Sequence, residues 1–219
     1  MQRVAVIDYG MGNLRSVAKA IEHVADGAAE VEVTSDPARI ASADRVVFPG
    51  QGAVRDCMGE IHRFGLEPVV RQALGTRPFL GICIGLQVLL DASEEHRETP
   101  CLGLVPGIVR RFPEHATDPD TGARLSVPHM GWNNVWQRRP HPLFEGVADG
   151  ERFYFMNSYY ADPADAGVVL ATTRYAVEFA CALAGPGWVA VQFHPEKSAR
   201  AGLQVLRNFL TWDGIAPAV

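Results

Sequence analysis

Apolar and polar residues along this chain change their period several times, and each change predicts an element. Residues 3–7 form an apolar run of strand length. After Asp8-Tyr9-Gly10-Met11-Gly12-Asn13, the residues Leu14, Val17, Ala18, Ile21 and Val24 recur at helical spacing. A second strand is predicted over 29–34, ending at Ser35-Asp36-Pro37, and a third over 45–48 runs into Pro49-Gly50-Gln51-Gly52. Helical patterns over 53–63 and 66–74 lead to 79–82, a continuous apolar run behind Pro78 that reads as a buried parallel strand. From Ile84 helical spacing returns through Leu86, Leu89, Leu90 and Ser93, with Asp91, Glu94 and Glu95 on the other side. Such alternation implies a mainly parallel sheet with ligands at the carboxyl ends of its strands.

Beyond about residue 100 the pattern changes. Residues 102–112, 125–127, 132–136, 152–160, 168–174, 177–184 and 188–193 read as strands with almost no helix between them, which suggests antiparallel additions. The polar stretch 113–124 is a surface excursion, and a final helix over 198–212, interrupted at Gly202, carries a core stripe of Leu203, Leu206, Phe209 and Leu210. With no repeat, low-complexity tract or linker, residues 1–219 read as one α/β domain: an open three-layer, mainly parallel sheet with antiparallel strands added in its second half.

Composition narrows the function. The net charge is −5 and there is no basic run, which argues against nucleic acid as a partner. No apolar run reaches membrane-spanning length, and the start reads as a strand rather than a signal peptide, so a cytoplasmic protein is expected. Cys57, Cys83, Cys101 and Cys181 lie far apart without metal-ligand spacing; thiols are expected, and neither metal nor cofactor is called for.

Candidate chemistry concentrates at three turns. Gly81-Ile82-Cys83-Ile84-Gly85 puts Cys83 on a tight strand-to-helix turn, with small neighbours two positions away on each side. That arrangement builds a nucleophile, or else holds a structural cysteine between packing glycines. The strand before His194-Pro195-Glu196 delivers a histidine to another carboxyl end, and an extended backbone would let Glu196 reach its ring. Alone, that tripeptide is also an ordinary surface turn. Gly50 and Gly52 around Gln51 allow backbone N–H groups to point into a cleft, or make a plain turn. The Gly10-x-Gly12 pair lacks the third glycine of a dinucleotide fingerprint and reads better as a structural or interface loop.

Taken together, Phe48-Pro49-Gly50-Gln51-Gly52, Gly81 to Gln87 and His194-Pro195-Glu196 resemble the class I (triad-type) glutamine amidotransferases, a flavodoxin-like fold. Within that class, Asp8 to Ser16, Pro128-His129-Met130-Gly131-Trp132-Asn133, Phe153-Tyr154-Phe155 and His194 to Ser198 are similar to the glutaminase subunits of imidazole glycerol phosphate synthases.

The resemblance implies hydrolysis of L-glutamine to glutamate and ammonia by Cys83, His194 and Glu196. It implies an oxyanion site from Gly50, Gln51 and Ile84 and a substrate pocket from Gly52, Gln87, Ser158 and Tyr159. It further implies a (β/α)8-barrel cyclase as heterodimer partner, taking up the ammonia to make imidazole glycerol phosphate and aminoimidazole carboxamide ribonucleotide in histidine biosynthesis. Met11-Gly12-Asn13, Trp132, Asn133, Tyr154 and Lys197 are interface candidates, although Trp132 and Tyr154 could equally be core. One departure stands out: the family usually has histidine where this chain has Asn157, which cannot carry a charge. Competing expectations are a glutaminase for another synthase (pyridoxal phosphate or anthranilate type), a catalytically silent scaffold for the cyclase, and a general cysteine hydrolase.

Overall fold

A computed structural model of the chain describes residues 1–118 and 121–215; residues 119 and 120, within the expected surface excursion, lie outside the described residues. The first half alternates strand and helix as β1 (Gln2–Ile7), α1 (Leu14–Ala25), β2 (Ala29–Thr34), α2 (Pro37–Ser42), β3 (Arg45–Gly50), α3 (Val54–Arg63), α4 (Glu67–Ala73), β4 (Phe79–Cys83) and the one-turn α5 (Ile84–Gln87). The second half is mostly strand: β5 (Ala92–Ser93), β6 (Thr99–Pro100), β7 (Gly107–Arg111), β8 (His129–Gln137), β9 (Glu151–Asn157) and β10 (Tyr159–Pro163). It closes with β11 (Val169–Tyr175), β12 (Val177–Gly185), β13 (Trp188–Val191) and α6 (Ala199–Thr211).

Among the described residues the strands run in the order β2-β1-β3-β4-β13-β12-β10-β7-β5-β6, with β11 paired to β12 and the β8–β9 hairpin joined to β11. The strands β2, β1, β3, β4 and β13 are mutually parallel; the pairings added beyond them are antiparallel apart from β5–β7. Right-handed crossovers put a helix on a face set by the direction of travel. The step from β1 out to β2 therefore places α1 on one face, and the return past β1 to β3 and on to β4 places α2, α3 and α4 on the other. Helix α6 packs on α1, and α2 on α4, which completes the three layers that the alternation predicts.

Every residue of β3 and β4 is buried, as expected for central parallel strands covered on both faces. On α1 the stripe Val17, Ala18, Ile21 and Val24 is buried as its spacing requires. Burial of a side chain such as Ile21 contributes about 1.5–3 kcal/mol. Arg45 is buried at the start of β3 and donates through its guanidinium to the carbonyls of Phe209 and Trp212, fastening the end of α6 to the sheet. No helix among the described residues is long and apolar enough to cross a membrane.

Several expected boundaries differ, each for a local reason. The helix after Cys83 stops at Gln87 instead of running to Ser93. Leu86 to Leu90 are buried on all sides, so their spacing is not a one-sided stripe, and the chain turns to form β5. The strand expected over 102–112 begins only at Gly107, because Leu102 to Val105 bond back to the carbonyls of Val88, Leu89 and Leu90 and Pro106 has no N–H to offer. Residues 125–127 form no strand. Residues 152–160 are two strands broken at Ser158, since β9 pairs with β8 whereas β10 pairs with β7 and β12. The strand expected over 188–193 ends at Val191. Gly202 does not interrupt α6 but lets it pack, since a Cβ there would sit 1.9 Å from the Pro195 carbonyl oxygen. Helix α2, unforeseen, starts at an Asp36 cap that accepts from the Ala38 N–H at 2.8 Å, with Pro37 at its first position.

Candidate active site

Cys83 is the last residue of β4 and the cap of α5, with φ +56° and ψ −107°. A side chain held there carries backbone strain of roughly 1–3 kcal/mol. A Cβ on Gly81 would lie 2.6 Å from the Gly85 carbonyl oxygen, and one on Gly85 would lie 1.8 Å from that of Phe48. The elbow can close only because both flanking residues lack a side chain.

Strand β13 is the parallel neighbour of β4, with Ala190 opposite Gly81 and Val191 opposite Ile82. Past its end, His194 arrives beside the elbow. Its backbone N–H donates to the Tyr154 carbonyl at 2.9 Å, and its carbonyl accepts from the Ser198 hydroxyl at 2.6 Å. His194 Nδ1 stands 2.9 Å from Glu196 Oε1, with side chains only 4% and 1% exposed. The extended geometry expected for this contact is not what makes it: Pro195–Lys197 form a 3₁₀ turn that swings Glu196 back under the ring. The other ring nitrogen, Nε2, has no hydrogen-bond partner among the described residues, and Cys83 is the second side chain, beside Glu196, that bears on the imidazole. Burial pulls the imidazole pKa down, but contact with Cys83 and Glu196 outweighs it and raises the pKa to about 10.

Cys83 opens into a cavity of about 260 Å³ that Gln51, Gly52, Ile84, Gln87, Ser158 and Tyr159 also line. The structure thus brings the expected pocket residues together. Gln87 does so with its nitrogen already engaged, donating to the Tyr159 carbonyl at 3.2 Å and to Gln192 Oε1 at 2.9 Å. Gly50 sits one step behind the cavity, opposite Cys83 in the β3–β4 ladder. A Cβ on it would lie 2.2 Å from the Tyr9 hydroxyl and 2.7 Å from the Ile84 Cβ.

Four participants were not singled out from the sequence. Tyr9, fully buried, donates to the Pro49 carbonyl at 2.9 Å, and the Cys57 thiol lies 3.7 Å from the Gln51 carbonyl, so the Gly50–Gln51 peptide is gripped from both sides. Burial raises the Tyr9 pKa well above its ordinary value and that of Cys57 to about 12, which keeps both as donors. Gln192 donates to the Cys83 sulfur at 3.5 Å. Glu95 lines the cavity and accepts from the Val54 N–H at 2.6 Å, at the start of α3. The tyrosine follows an apolar strand and the glutamate sits in a run of charges, so neither has a local signal.

On the outer side, Trp132 and Tyr154 face each other across the β8–β9 ladder with ring centroids 6.1 Å apart. Lys197 Nζ lies 6.0 Å from the Tyr154 ring. Trp132 is 43% exposed and Met130, on the same face of β8, 60%. Asn13 is half-buried at the start of α1 and makes no side-chain cap. Asn133 points to the other side of β8 from Trp132, its amide bonded to the Arg174 carbonyl and close to His129 Nε2.

The family model for "Glutamine amidotransferase class-I" matches residues 5–212 of this chain. The chain belongs to that family. A relative from Aromatoleum aromaticum, called imidazole glycerol phosphate synthase subunit HisH, is 59% identical over 97% of this chain and 99% of its own length. One of the same name from Nitrosococcus oceani is 56% identical over 99% of this chain and 100% of its own. Among solved structures, a glutamine amidotransferase aligns with a TM-score of 0.70 at 19% identity, over 95% of this chain and 97% of that one. The glutaminase domain of Trypanosoma brucei CTPS with bound acivicin aligns at 0.65 and 17%, over 99% and 97%. At such identities these structures speak for the fold, which is that of the class.

Proposed function

We propose that the chain hydrolyses L-glutamine to glutamate and ammonia, with Cys83 as nucleophile, His194 as proton carrier and Glu196 as the group that orients the imidazole. One observation carries this reading: a cysteine at φ +56° at the end of β4, met by a carboxylate-paired histidine from the adjacent strand. His194, its pKa raised to about 10 by Cys83 and Glu196, takes up and holds the thiol proton, and the sulfur then bonds to the carboxamide carbon. The oxygen of the tetrahedral intermediate is received by N–H groups of Ile84 and the Gly50–Gln51 segment, each such donor contributing on the order of 3 kcal/mol. Collapse expels ammonia, which leaves with the proton returned by His194. Water, deprotonated by the same imidazole, then cleaves the γ-glutamyl thioester, releasing glutamate and restoring the thiol. Gly52, Gln87, Ser158 and Tyr159 hold the amino-acid end, and the Glu95 carboxylate faces its ammonium.

The chain acts as the glutaminase subunit of an imidazole glycerol phosphate synthase, as its relatives' names indicate for them. Its ammonia passes to a cyclase that makes imidazole glycerol phosphate and aminoimidazole carboxamide ribonucleotide in histidine biosynthesis. The cyclase, a (β/α)8 barrel forming a heterodimer, docks on the face bearing Asn13, Trp132, Tyr154 and Lys197, where exposed aromatics offer anchoring area. Beside Trp132 a groove of about 710 Å³ is lined by Arg152, Arg200 and Arg207 against one carboxylate, Glu151, a positive balance that suits carboxylates on the partner. Four free thiols suit a reducing compartment, the cytoplasm.

The test is Cys83→Ala in the complex. Glutamine turnover is expected to vanish while cyclisation driven by added ammonium salt continues; retained glutamine turnover would overturn the assignment. Glutaminase activity of the chain alone is expected to be weak and to rise strongly with the cyclase and its nucleotide, and equal activity in both states would refute the coupling.

A further inference from the structure

A line of side chains with fixed hydrogen-bond polarity runs from β8 to the wall of the glutamine pocket. It starts at Asn133, whose Oδ1 accepts from the Asn134 N–H at 2.8 Å and whose Nδ2 donates to the Arg174 carbonyl at 2.9 Å. Those backbone partners fix which way the amide points. Its second Nδ2 hydrogen therefore faces His129 Nε2, 3.3 Å away, which must accept. A neutral imidazole that accepts at Nε2 carries its proton on Nδ1. The ring is stacked between Tyr175, centroids 3.9 Å apart, and Phe155, 4.9 Å apart, with Phe112 at its edge. It has no room to turn and is kept neutral: burial lowers its pKa to about 4 against a smaller upward pull from Asn157.

The other end is equally constrained. Asn157 is the direct cross-strand partner of His129 in the β8–β9 ladder. Its Nδ2 donates to the Tyr159 carbonyl at 3.0 Å, which leaves Oδ1 as the free end of the amide. Among the described residues, His129 Nδ1 and Asn157 Oδ1 are both buried and both without a hydrogen-bond partner of good geometry. A buried donor and a buried acceptor, each unsatisfied, thus belong to directly paired residues, and Asn157 is a side chain that bears on the His129 ring. The Tyr159 carbonyl, held by Asn157, also takes the Gln87 amide at 3.2 Å.

We propose that His129, as its Nδ1–H tautomer, donates to Asn157 Oδ1 and is thereby a positioning residue for glutamine binding, holding the Ser158–Tyr159 wall against Gln87. His129 does not line the cavity and touches no reacting atom. The asparagine at 157 gives this arrangement its direction. A histidine there would offer two nitrogens of interchangeable role, whereas an amide held by the Tyr159 carbonyl has one acceptor in one place. The inference rests on the reading of this cavity as the glutamine pocket.

The direct test is ¹⁵N NMR of the histidine-labelled full chain, with the His129 signals identified by their loss in His129→Phe or His129→Asn. A protonated Nδ1 and an unprotonated Nε2, unchanged between about pH 6 and 8, are expected from a group this far from its titration range. The reverse tautomer would overturn the proposal. Kinetics gives the second test. His129→Phe keeps a flat ring and removes the donor, so KM for glutamine should rise about tenfold or more with kcat within about threefold, as for lost ground-state positioning. His129→Asn, whose Nδ2 can stand in for Nδ1, should restore KM to within about threefold. An equal rise in both variants, or a loss confined to kcat, would overturn the assignment. Gln87→Ala separates the two readings: if it leaves KM unchanged the pocket reading fails, and if it raises KM while His129→Phe does not, the role of His129 alone fails.

Discussion

Replacing Glu196 with glutamine probes the site most informatively, because it preserves shape and removes only charge. The side chain is 1% exposed and its Oε1 lies 2.9 Å from His194 Nδ1, so the amide will occupy the same space. A rise of the His194 pKa from 6.5 to about 10 corresponds to a preference for the protonated ring of up to about 5 kcal/mol, at 1.36 kcal/mol per pKa unit. Cys83 and Glu196 produce that preference jointly, against the opposing pull of burial; a hydrogen bond to a charged group contributes up to about 3 kcal/mol, which as a barrier increase is on the order of a hundredfold. An amide can also present its N–H to Nδ1 and impose the wrong tautomer, which in a comparable triad brings the loss to about 10⁴-fold. Glu196→Gln is therefore expected to lower kcat for glutamine by about 10²–10⁴ with little change in KM, since Glu196 does not line the cavity. A glutamate-release assay over a range of glutamine concentrations measures both. The sign of the pH effect follows from the raised pKa: the stability contributed by protonated His194 is complete below about pH 6.5 and is lost as pH rises toward 10. The stability gap between wild type and variant should accordingly be widest near pH 6 and shrink toward pH 10. A loss in kcat below tenfold, or a gap that widens with pH, would refute the reasoning.

Further outcomes follow from single contacts. Gly85→Ala puts a methyl 1.8 Å from the Phe48 carbonyl oxygen, so thermal denaturation should show a loss above about 3 kcal/mol or a chain that does not fold. Tyr9→Phe removes the buried bond to the Pro49 carbonyl and should cost about 1–3 kcal/mol of stability. It should also lower kcat more than it raises KM if that bond steadies the oxyanion peptide. Arg45→Ala leaves the buried carbonyls of Phe209 and Trp212 without their donor, and a shift in urea midpoint equivalent to about 2–4 kcal/mol is expected, with KM for glutamine unchanged.

Much of the parallel half was legible because its strands are buried on both faces and read as unbroken apolar runs, while α1 shows a true one-sided stripe. The same rule misled after Cys83, where residues buried all round imitate a helix. The break at Ser158 could not be read from the sequence either, because it depends on β9 and β10 choosing different partners. Cys83 and its glycines were legible because steric demands are local. Glu196 was found for an incomplete reason, through spacing that a 3₁₀ turn rather than an extended segment realises. Tyr9, Glu95 and Gln192 stayed hidden because each acts through a contact far along the chain: Tyr9 reaches residue 49, Glu95 residue 54 and Gln192 residue 83. Cys57 reaches only back to Gln51, but inside a helical pattern its thiol reads as one more core residue. Asn133 stood beside Trp132 in the motif, yet pleating sends adjacent residues to opposite faces.

The most direct measurement is peptide mass spectrometry on the wild-type chain, mixed with isotope-labelled glutamine in the presence of the cyclase and quenched in acid during turnover. A γ-glutamyl adduct is expected on the Cys83 peptide alone, with none on Cys57, Cys101 or Cys181, whose thiol pKa values burial raises, and none in His194→Asn. Turnover with no thioester on Cys83, or an adduct that forms as fast without the imidazole, would contradict the account.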